Sequence, residues 1–343
     1  MANKSKQNEE FERCLVIGGS GMLGYEIVKQ LQNEGKFIRV LDIQPLQEKN
    51  DNVDFVLGDI CDKEIVRRAC ENIDVVFQTA AAVWDPKLPA KIYDDVNITG
   101  NKNVIEVCKE LGISKLVYSS TLDVVVDGKK PIVYGDETLP YPKKMPKDHY
   151  SRTKIIAEQM VIAANSPELL TCSLRPVGMY GPRDMYHIAN IIKVAKSNNN
   201  IKLGDGSAKF SHVYSENAAH AHVLAAKNLK PGSPVCGQNY FVCDHQPADN
   251  LFTFMEPFLI GLGLPLPKRS IPYRLAYILA TIAEIFSPKS NFNRFSVVQT
   301  CIDHTFVHDK ATRDFGYEPI VSKEEAFERT LAWFKKQEDE KIE

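Results

Sequence analysis

The sequence lacks a surplus of charge of either sign. Its 343 residues carry 42 Lys and Arg against 44 Asp and Glu, a formal net charge of −2 at pH 7. Proteins that bind nucleic acid through phosphate contacts carry a basic surplus, so no nucleic-acid partner is predicted. The 19 glycines and 19 prolines fall far below the share of roughly 25–30% that marks disordered or fibrous chains. An ordered globular protein is therefore expected.

Paired cysteine motifs, a secretory signal and a membrane-length apolar run are also lacking. The eight cysteines are scattered without Cys-x-x-Cys pairs, so free thiols are expected and no metal site is predicted. The first ten residues are polar, which predicts a cytosolic start. The most apolar region, Pro257 to Phe286, is interrupted by prolines and charged residues. It predicts either a core or dimer helix, or a helix lying in a membrane interface.

Short apolar runs alternate with amphipathic stretches through the first half of the chain. The runs predicted as strands are Cys14–Ile17, Phe37–Leu41, Asp54–Leu57, Asp74–Phe77, Leu116–Ser119 and Leu170–Leu174. Apolar strands separated by helices indicate a parallel sheet covered on both faces, and hence a doubly wound α/β (Rossmann) fold. The alternation fades after about Arg175, so we expect a smaller and less regular C-terminal lobe.

A glycine-rich segment joins the first predicted strand to the first predicted helix. Its spacing, Gly18-x-x-Gly21-x-x-Gly24, suits a tight turn that brings the backbone close to a pyrophosphate at a helix N-terminus. A tight turn without a ligand is the alternative. The residues predicted to bind a dinucleotide here are Gly18, Ser20, Gly21, Met22, Leu23 and Gly24.

Asp42 ends the second predicted strand. A carboxylate at this point can accept hydrogen bonds from the adenosine ribose and repels a 2′-phosphate, which favours NAD over NADP. Asp59 and Ile60 are expected beside the adenine, and the small side chain of Ala80 leaves room for the cofactor. These residues predict an NAD-binding domain over 11–176, to which some later segments return, and a substrate-binding lobe over 177–343.

The pattern Tyr-x-x-x-Lys, which sets two side chains on one helix face, occurs twice. In Tyr150/Lys154 the ammonium is expected to lower the phenol's pKa from its reference value of about 10, so that tyrosine can exchange protons near neutral pH. Thr121, at the end of the fifth predicted strand, can hydrogen-bond a substrate oxygen. Tyr25/Lys29 directly follows the glycine loop and is interpreted as a solvated helix face.

Together these residues resemble the extended short-chain dehydrogenase/reductase family. The stretches LGDICD, YSRTKIIAEQ, LRPVGMYGPRD and IPYRLAYILA are similar to its 3β-hydroxysteroid dehydrogenase branch. The resemblance implies that Asn97 and Pro176 also contact the cofactor, and that Lys154 binds the nicotinamide ribose. One departure is Thr121, since the family usually has serine at this position.

The activity that the resemblance implies is NAD-dependent oxidation of the 3β-hydroxyl of a 4α-carboxysterol, followed by decarboxylation at C4. The alternatives are a 3β-hydroxysteroid dehydrogenase/isomerase, a nucleotide-sugar epimerase or reductase, and a non-enzymatic NAD-binding scaffold. The resemblance further implies a homodimer and residence on the cytosolic face of the endoplasmic reticulum or of lipid droplets. Residues 257–286 would make peripheral contact with the membrane.

Overall fold

A computed structural model describes residues 11–46, 50, 52–197, 201–244, 248–287, 290 and 292–340. Residues 1–10, on which the prediction of a cytosolic start rests, lie outside the described residues. In the described ranges the strands are β1 Arg13–Ile17, β2 Phe37–Asp42, β3 Val53–Leu57, β4 Val75–Gln78, β5 Lys115–Ser119, β6 Ile132–Gly135, β7 Leu170–Pro176, β8 Gly178–Tyr180, β9 Ile201–Leu203, β10 Lys209–Phe210, β11 His212–Tyr214, β12 Gln238–Val242, β13 Asp249–Asn250, β14 Arg269–Ile271 and β15 His304–Phe306. The helices are α1 Met22–Asn33, α2 Lys63–Cys70, α3 Ala90–Tyr93, α4 Asn101–Leu111, α5 His149–Ala163, α6 Ile188–Lys196, α7 Ser215–Asn228, α8 Leu251–Gly261, α9 Tyr273–Phe286, α10 Arg294–Cys301, α11 Asp309–Phe315 and α12 Lys323–Asp339.

A parallel sheet of seven strands in the order β12-β7-β5-β4-β1-β2-β3 forms the centre of the protein. It confirms the predicted doubly wound fold, and each of the six predicted strands overlaps an observed one. Alternate residues of β1 point to opposite faces. Val16 packs in the cluster that contains α1 and α7, whereas Leu15 packs in the cluster that contains α2, α4 and α5. Helices therefore cover both faces of the sheet.

The chain passes between the central sheet and the second lobe more than once. Strand β12, which the sequence analysis did not identify, returns from the second half to pair with β7. In the opposite direction, β6 leaves the first half and pairs with β15 in a smaller four-stranded sheet. The two lobes are thus built from interleaved segments, and the chain has no single crossing point at residue 176.

The strand order reverses between β1 and β4. From β1 the chain builds outward through β2 and β3, and then crosses back to place β4 on the other side of β1. In such sheets the carboxyl ends of the strands on either side of the reversal leave a crevice in which ligands bind. Gly18 follows β1 and Thr79 follows β4, so both lie at this crevice.

Helix α9 leaves large apolar side chains exposed. Its small residues Ala276 and Ala280 are fully buried in a cluster that contains Val297 of α10. On its outer side, Ile285 is 71% and Phe286 83% exposed. Among the described residues, no helix has the length and hydropathy needed to span a bilayer.

Candidate active site

The glycine loop forms a cradle that larger residues would fill. Gly18 has a φ of 85°, a conformation that favours glycine, and a Cβ there would lie 2.7 Å from the backbone nitrogen of Ala80. A Cβ on Gly24 would lie 2.1 Å from the carbonyl oxygen of Gly18. No side chain caps the N-terminus of α1 at Gly21, so its first N–H groups are available to an anion. The loop therefore fits the pyrophosphate of a dinucleotide.

Asp42 lies at the end of β2, at the edge of the same crevice. Its carboxylate accepts hydrogen bonds from the backbone N–H groups of Ser20 and Gln44, each at 2.9 Å. The Ser20 hydroxyl donates to the carbonyl of Gln44 at 2.8 Å, which ties the glycine loop to the segment after β2. These bonds fix the carboxylate beside the loop, where it can receive ribose hydroxyls.

Helix α5 and the end of β5 bring Thr121, Tyr150 and Lys154 together. Thr121 and Tyr150 both line the cavity, and Thr121 lies close enough to lower the pKa of Tyr150. Lys154, only 2% exposed, donates from Nζ to the carbonyl oxygen of Ser119 at 2.6 Å. The same ammonium lies 4.3 Å from the ring centroid of Tyr118. The Thr/Tyr/Lys set is therefore one constellation, with the lysine held beneath the tyrosine by β5.

The electrostatics of this set differ from the sequence-based expectation. Burial and the negative charge of Asp123 raise the pKa of Tyr150 above its usual value, and the neighbouring Thr121 side chain opposes them. Burial lowers the pKa of Lys154 to about 7, although Glu158 and Asp123 oppose that shift. The prediction that Lys154 lowers the pKa of Tyr150 is wrong for this structure. The Lys154 ammonium donates to the carbonyl of Ser119 on β5, and burial disfavours its charged form.

Asp123, two residues after Thr121, is a site residue that the sequence analysis missed. Its carboxylate accepts the Thr121 hydroxyl at 2.9 Å and the side-chain amide of Gln299 on α10 at 2.5 Å. Burial and the nearby Asp148 raise the pKa of Asp123 to about 6, against the lowering effect of the Thr121 and Gln299 hydrogen bonds and of Lys154. A titratable group thus lines the cavity together with the Thr121/Tyr150 pair.

A single cavity of about 1710 Å³ joins these parts, well above the ~300–1000 Å³ of a pocket for one small ligand. The glycine loop, Asp42 and Asp59 line one part of it, and Thr121, Tyr150 and Lys154 line the same cavity. The second lobe lines another part with mostly apolar side chains: Leu203, Leu251, Phe252, Met255, Leu259, Ile271, Phe292 and Phe295. The cavity has room for a dinucleotide together with a large apolar molecule.

The predicted cofactor residues line this cavity with one exception. Those on its surface are Gly18, Ser20, Gly21, Met22, Leu23, Gly24, Asp42, Asp59, Ile60, Ala80, Tyr150, Lys154 and Pro176. Asn97 is fully buried behind it. The Asn97 amide exchanges hydrogen bonds with the backbone of Ala82, at 2.8 and 3.1 Å, and donates to the Thr153 hydroxyl at 3.0 Å. In this structure Asn97 braces the post-β4 segment against α5.

Arg183 and Trp84 also line the cavity, although neither was predicted as a site residue. The Arg183 guanidinium lies 3.7 Å from the ring centroid of Tyr25 on α1, which places a cation beside the glycine loop. Arg183 has a φ of 69°, an unusual value for a side chain of this size. Arg183 therefore covers the Tyr25 ring, and the helix face of Tyr25 is less solvated than predicted. Trp84 stacks on Phe295 with ring centroids 5.2 Å apart.

Behind the site, α5 carries an ion pair one helical turn beyond Lys154. Glu158 and Arg175 are 0% and 2% exposed, and their closest atoms lie 2.6 Å apart. Ser173 and Tyr141 each donate a hydroxyl to Glu158 at 2.8 Å. In the described ranges no group of His, Cys, Asp and Glu is arranged to hold a metal ion.

Sequence comparison finds close relatives over almost the full chain. A human sterol-4-alpha-carboxylate 3-dehydrogenase, decarboxylating, is 36% identical over 344 residues, which covers 97% of this chain and 90% of the relative. The mouse protein of the same name is 35% identical, with 94% and 91% covered. A human short-chain dehydrogenase/reductase family 42E member 1 is 34% identical, with 94% and 87% covered.

Solved structures share the fold at lower identity. An epimerase from Methanothermobacter thermautotrophicus superposes with a TM-score of 0.75 at 23% identity, covering 95% of this chain and 93% of that one. A Thermus thermophilus UDP-glucose 4-epimerase in complex with NAD gives 0.70 at 24% identity, with 94% and 99% covered. Residues 15–273 match the 3-beta hydroxysteroid dehydrogenase/isomerase family. The chain belongs to that family, a branch of the extended short-chain dehydrogenases/reductases.

Proposed function

We propose that the protein oxidises the 3β-hydroxyl of a 4α-carboxysterol with NAD, and that the product loses CO2 from C4. The observation that carries the proposal is that Tyr150 and Thr121 line the same large cavity as the dinucleotide cradle and a mostly apolar second-lobe surface. Relatives at 35–36% identity named for that reaction support the substrate class.

NAD, when bound, supplies a hydride acceptor. The glycine loop would hold its pyrophosphate, and Asp42 would hold its adenosine ribose. The side chain of Lys154 reaches the cavity from α5 and can donate to a ribose hydroxyl. A carboxylate at position 42 repels a 2′-phosphate, so NADP is disfavoured.

Tyr150 takes the proton from the sterol hydroxyl as C3 loses its hydride. Geometry selects Tyr150 because its phenol lines the cavity together with the Thr121 hydroxyl. Oxidation at C3 places a ketone β to the C4 carboxylate. A β-keto acid loses CO2 readily because the carbonyl accepts the electron pair as an enolate, so no separate decarboxylation machinery is required.

The direct test is incubation with NAD and a 4α-carboxysterol while NADH and CO2 are followed together. We expect the two products in equal amounts. NADH without CO2 would identify a plain 3β-hydroxysteroid dehydrogenase, and neither product would contradict the proposal. A UDP-sugar epimerase is disfavoured because the second-lobe surface of the cavity is mainly apolar.

We further propose that α9 attaches the protein peripherally to a membrane, at the cytosolic face of the endoplasmic reticulum or of a lipid droplet. At 1.5 Å per residue its 14 residues extend about 21 Å, short of the ~30 Å hydrocarbon core. Glu284 does not charge the exposed face, since its carboxylate accepts two hydrogen bonds from Arg294 on α10, both at 2.7 Å. The outer face can thus lie in the interface.

Flotation with phosphatidylcholine–phosphatidylserine vesicles tests this attachment. Changing Ile285 and Phe286 together to serine should release the protein from the vesicles. Ile320, 52% exposed on another part of the surface, provides the matched control, and Ile320→Ser should still float. Equal flotation of all three proteins would contradict the attachment.

We also propose a homodimer that pairs the helices of residues 91–111 and 150–164 across a twofold axis. The proposal rests on analogy with the extended family. Light scattering on the purified protein tests it, since a mass of 38.6 kDa would show a monomer.

A further inference from the structure

We propose that Trp84 and Phe295 form the surface against which the hydroxyl-bearing ring of the sterol packs, and that this surface selects flat polycyclic alcohols over bent ones. The inference rests on the proposed alcohol oxidation and assigns the residues that discriminate the shape of the substrate. Both side chains line the cavity, and they stack on each other with ring centroids 5.2 Å apart. They are substrate-binding residues, since the reacting hydroxyl is assigned to Thr121 and Tyr150.

Hydrogen bonds on both sides of Trp84 hold its backbone in place. On the N-terminal side, the Asn97 amide exchanges hydrogen bonds with the backbone of Ala82 at 2.8 and 3.1 Å. On the C-terminal side, the Tyr93 hydroxyl accepts the N–H of Asp85 and donates to its carbonyl oxygen, both at 2.8 Å. A side chain on a fixed backbone loses little freedom when a ligand packs on it. The indole is therefore a preorganised surface.

One face of α10 connects this aromatic pair to the site of oxidation. Phe295 and Gln299 occupy positions i and i+4 of α10, so they lie on the same helix face, and both line the cavity. The Gln299 amide donates to Asp123 at 2.5 Å, and Thr121 donates to the same carboxylate at 2.9 Å. Phe295 thus lies one helical turn, ~5.4 Å along the axis, from the residue bonded to Asp123. Because Thr121 binds the substrate oxygen in the proposed reaction, the ring that carries this oxygen is expected beside the stacked pair.

The shape of the pair suits a flat ring system. The two ring planes differ by 23°, and both side chains are half-buried, so part of the stack is open to a ligand. Aromatic side chains bury a large area against a flat partner. When rings A and B of a sterol are trans-fused they are nearly coplanar, whereas cis fusion bends ring A away from the others. A bent sterol with its hydroxyl at Thr121 therefore loses much of its contact with the pair.

The side chains of α10 that line the cavity are uncharged. They are Phe295, Ser296, Gln299 and Thr300. Ring carbons need no counter-charge, whereas the diphosphate of a nucleotide sugar is bound by cations or by the N–H groups of a helix N-terminus. This surface thus suits an apolar polycyclic alcohol.

The first arm of the test observes the contact directly, in the full chain without cofactor. The sequence has two tryptophans, and Trp333 packs on Phe334 of α12 with ring centroids 4.9 Å apart. Trp333→Phe leaves Trp84 as the sole indole. We expect 5α-cholestan-3β-ol, delivered from cyclodextrin, to shift the Trp84 emission saturably to shorter wavelength, with the Kd that equilibrium dialysis of the labelled sterol gives. Binding in dialysis without a change in Trp84 emission would overturn the inference.

The second arm compares a flat and a bent sterol, 5α- and 5β-cholestan-3β-ol, by equilibrium dialysis. Trp84→Ala should weaken binding of the flat isomer about 30-fold and of the bent isomer about threefold, because the flat isomer contacts more of the indole. Trp84→Phe should keep most of the preference for the flat isomer, since an aromatic plane remains. Trp333→Phe is the matched control and should behave as wild type. Equal losses for the two isomers, or no loss in Trp84→Ala, would overturn the inference.

A double-mutant cycle separates a shared binding surface from a structural role. Phe295→Ala should lower the preference for the flat isomer about tenfold in the wild type and by clearly less in Trp84→Ala, because residues that act as one surface are not additive. Additive losses would overturn the inference. If wild type bound 5α-cholestan-3β-ol but formed no NADH from any 3β-hydroxysterol, the proposed function would fail, while the two binding arms would still decide the inference. Wild type that binds neither isomer would overturn both.

Discussion

Two carboxylates near the Thr121/Tyr150/Lys154 set differ in their surroundings: Asp123 lines the cavity, and Glu158 is fully buried behind it. Burial would raise the pKa of Glu158, but the Arg175 guanidinium and the hydroxyl donors outweigh it and hold the pKa below its usual value. Asp123 receives hydrogen bonds from Thr121 and Gln299, both neutral, and its pKa rises to about 6. Within the described part of the chain, the side chains that donate hydrogen bonds to Glu158 include a cation, whereas those that donate to Asp123 are neutral.

The two environments suit different roles: that of Glu158 stabilises the fold, and that of Asp123 suits proton exchange. A carboxylate paired with a buried guanidinium stays ionised through the neutral range, and removing either member leaves an uncompensated charge. A carboxylate with neutral donors changes protonation near the pH at which the enzyme works, which suits proton exchange. Helix α5 contributes to both, since Tyr150 and Lys154 face the cavity and Glu158 faces Arg175.

The largest expected effect is the loss of turnover when the Tyr150 hydroxyl is removed. Tyr150→Phe should lower kcat by at least about 10³-fold, because it removes the proton-transfer group, and should leave the Tm nearly unchanged. Tyr141 provides the matched control, since its hydroxyl donates to Glu158 at 2.8 Å. Tyr141→Phe should cost about 1 kcal/mol of stability and keep kcat. Kinetics and thermal unfolding of both variants check that one loses activity and the other stability. Near-normal turnover by Tyr150→Phe would contradict this expectation.

The next largest effect is expected on stability, when the buried Glu158–Arg175 ion pair is broken. Glu158→Gln leaves Arg175 buried without its counter-ion and should lower the free energy of unfolding by about 3 kcal/mol. Denaturant unfolding at pH 7 measures the loss. If the variant were as stable as Asp123→Asn, the distinction between the two carboxylates would be lost.

Lys154 extends the comparison to a buried cation, whose lowered pKa makes stability depend on pH. Burial lowers its pKa from 10.5 to about 7, so between these values the unfolded chain binds more protons than the folded one, and stability rises with pH. Relative to Lys154→Met, the wild type without cofactor should therefore gain up to about 1.4 kcal/mol per pH unit over this window. Unfolding at pH 6, 8 and 9 tests the slope, and a pH-independent difference between the two proteins would contradict it.

A third carboxylate, Asp42, lies at the solvent edge of the cavity and gives the smallest effect. Asp42→Ala should raise KM for NAD and lower the preference for NAD over NADP by about tenfold, the equivalent of ~1.4 kcal/mol. Asp59→Ala, at the same end of the cavity, serves as the control and should leave the preference in place. Unchanged discrimination in Asp42→Ala would remove its assignment as the ribose ligand.

Features encoded within short segments were predictable from the sequence. The glycine loop, Asp42 at the end of β2 and the α5 pair Tyr150/Lys154 depend on local spacing, and the structure places all of them on one cavity. The strands of the central sheet up to β7 show the same local signal, because they are apolar on both faces.

Residues whose roles depend on distant segments were not predictable. Gln299 reaches Asp123 across 176 positions of sequence, and Arg183 meets Tyr25 only through the fold. Strand β12 lies among short irregular segments and is assigned to the sheet by its pairing with β7. The direction of the Lys154 ammonium toward Ser119 follows from packing, and so the raised pKa of Tyr150 could not be read from the Tyr-x-x-x-Lys spacing.

The most direct test of alcohol oxidation by this site follows one deuterium. A 4α-carboxysterol deuterated at C3 is incubated with NAD and wild-type protein or Tyr150→Phe, and both the cofactor and the sterol are analysed by mass spectrometry. We predict that wild type transfers the deuterium to NADH and releases a C3 ketone without the C4 carboxylate, whereas Tyr150→Phe transfers almost none. Deuterium that stays on the sterol, or equal transfer by both proteins, would contradict the account.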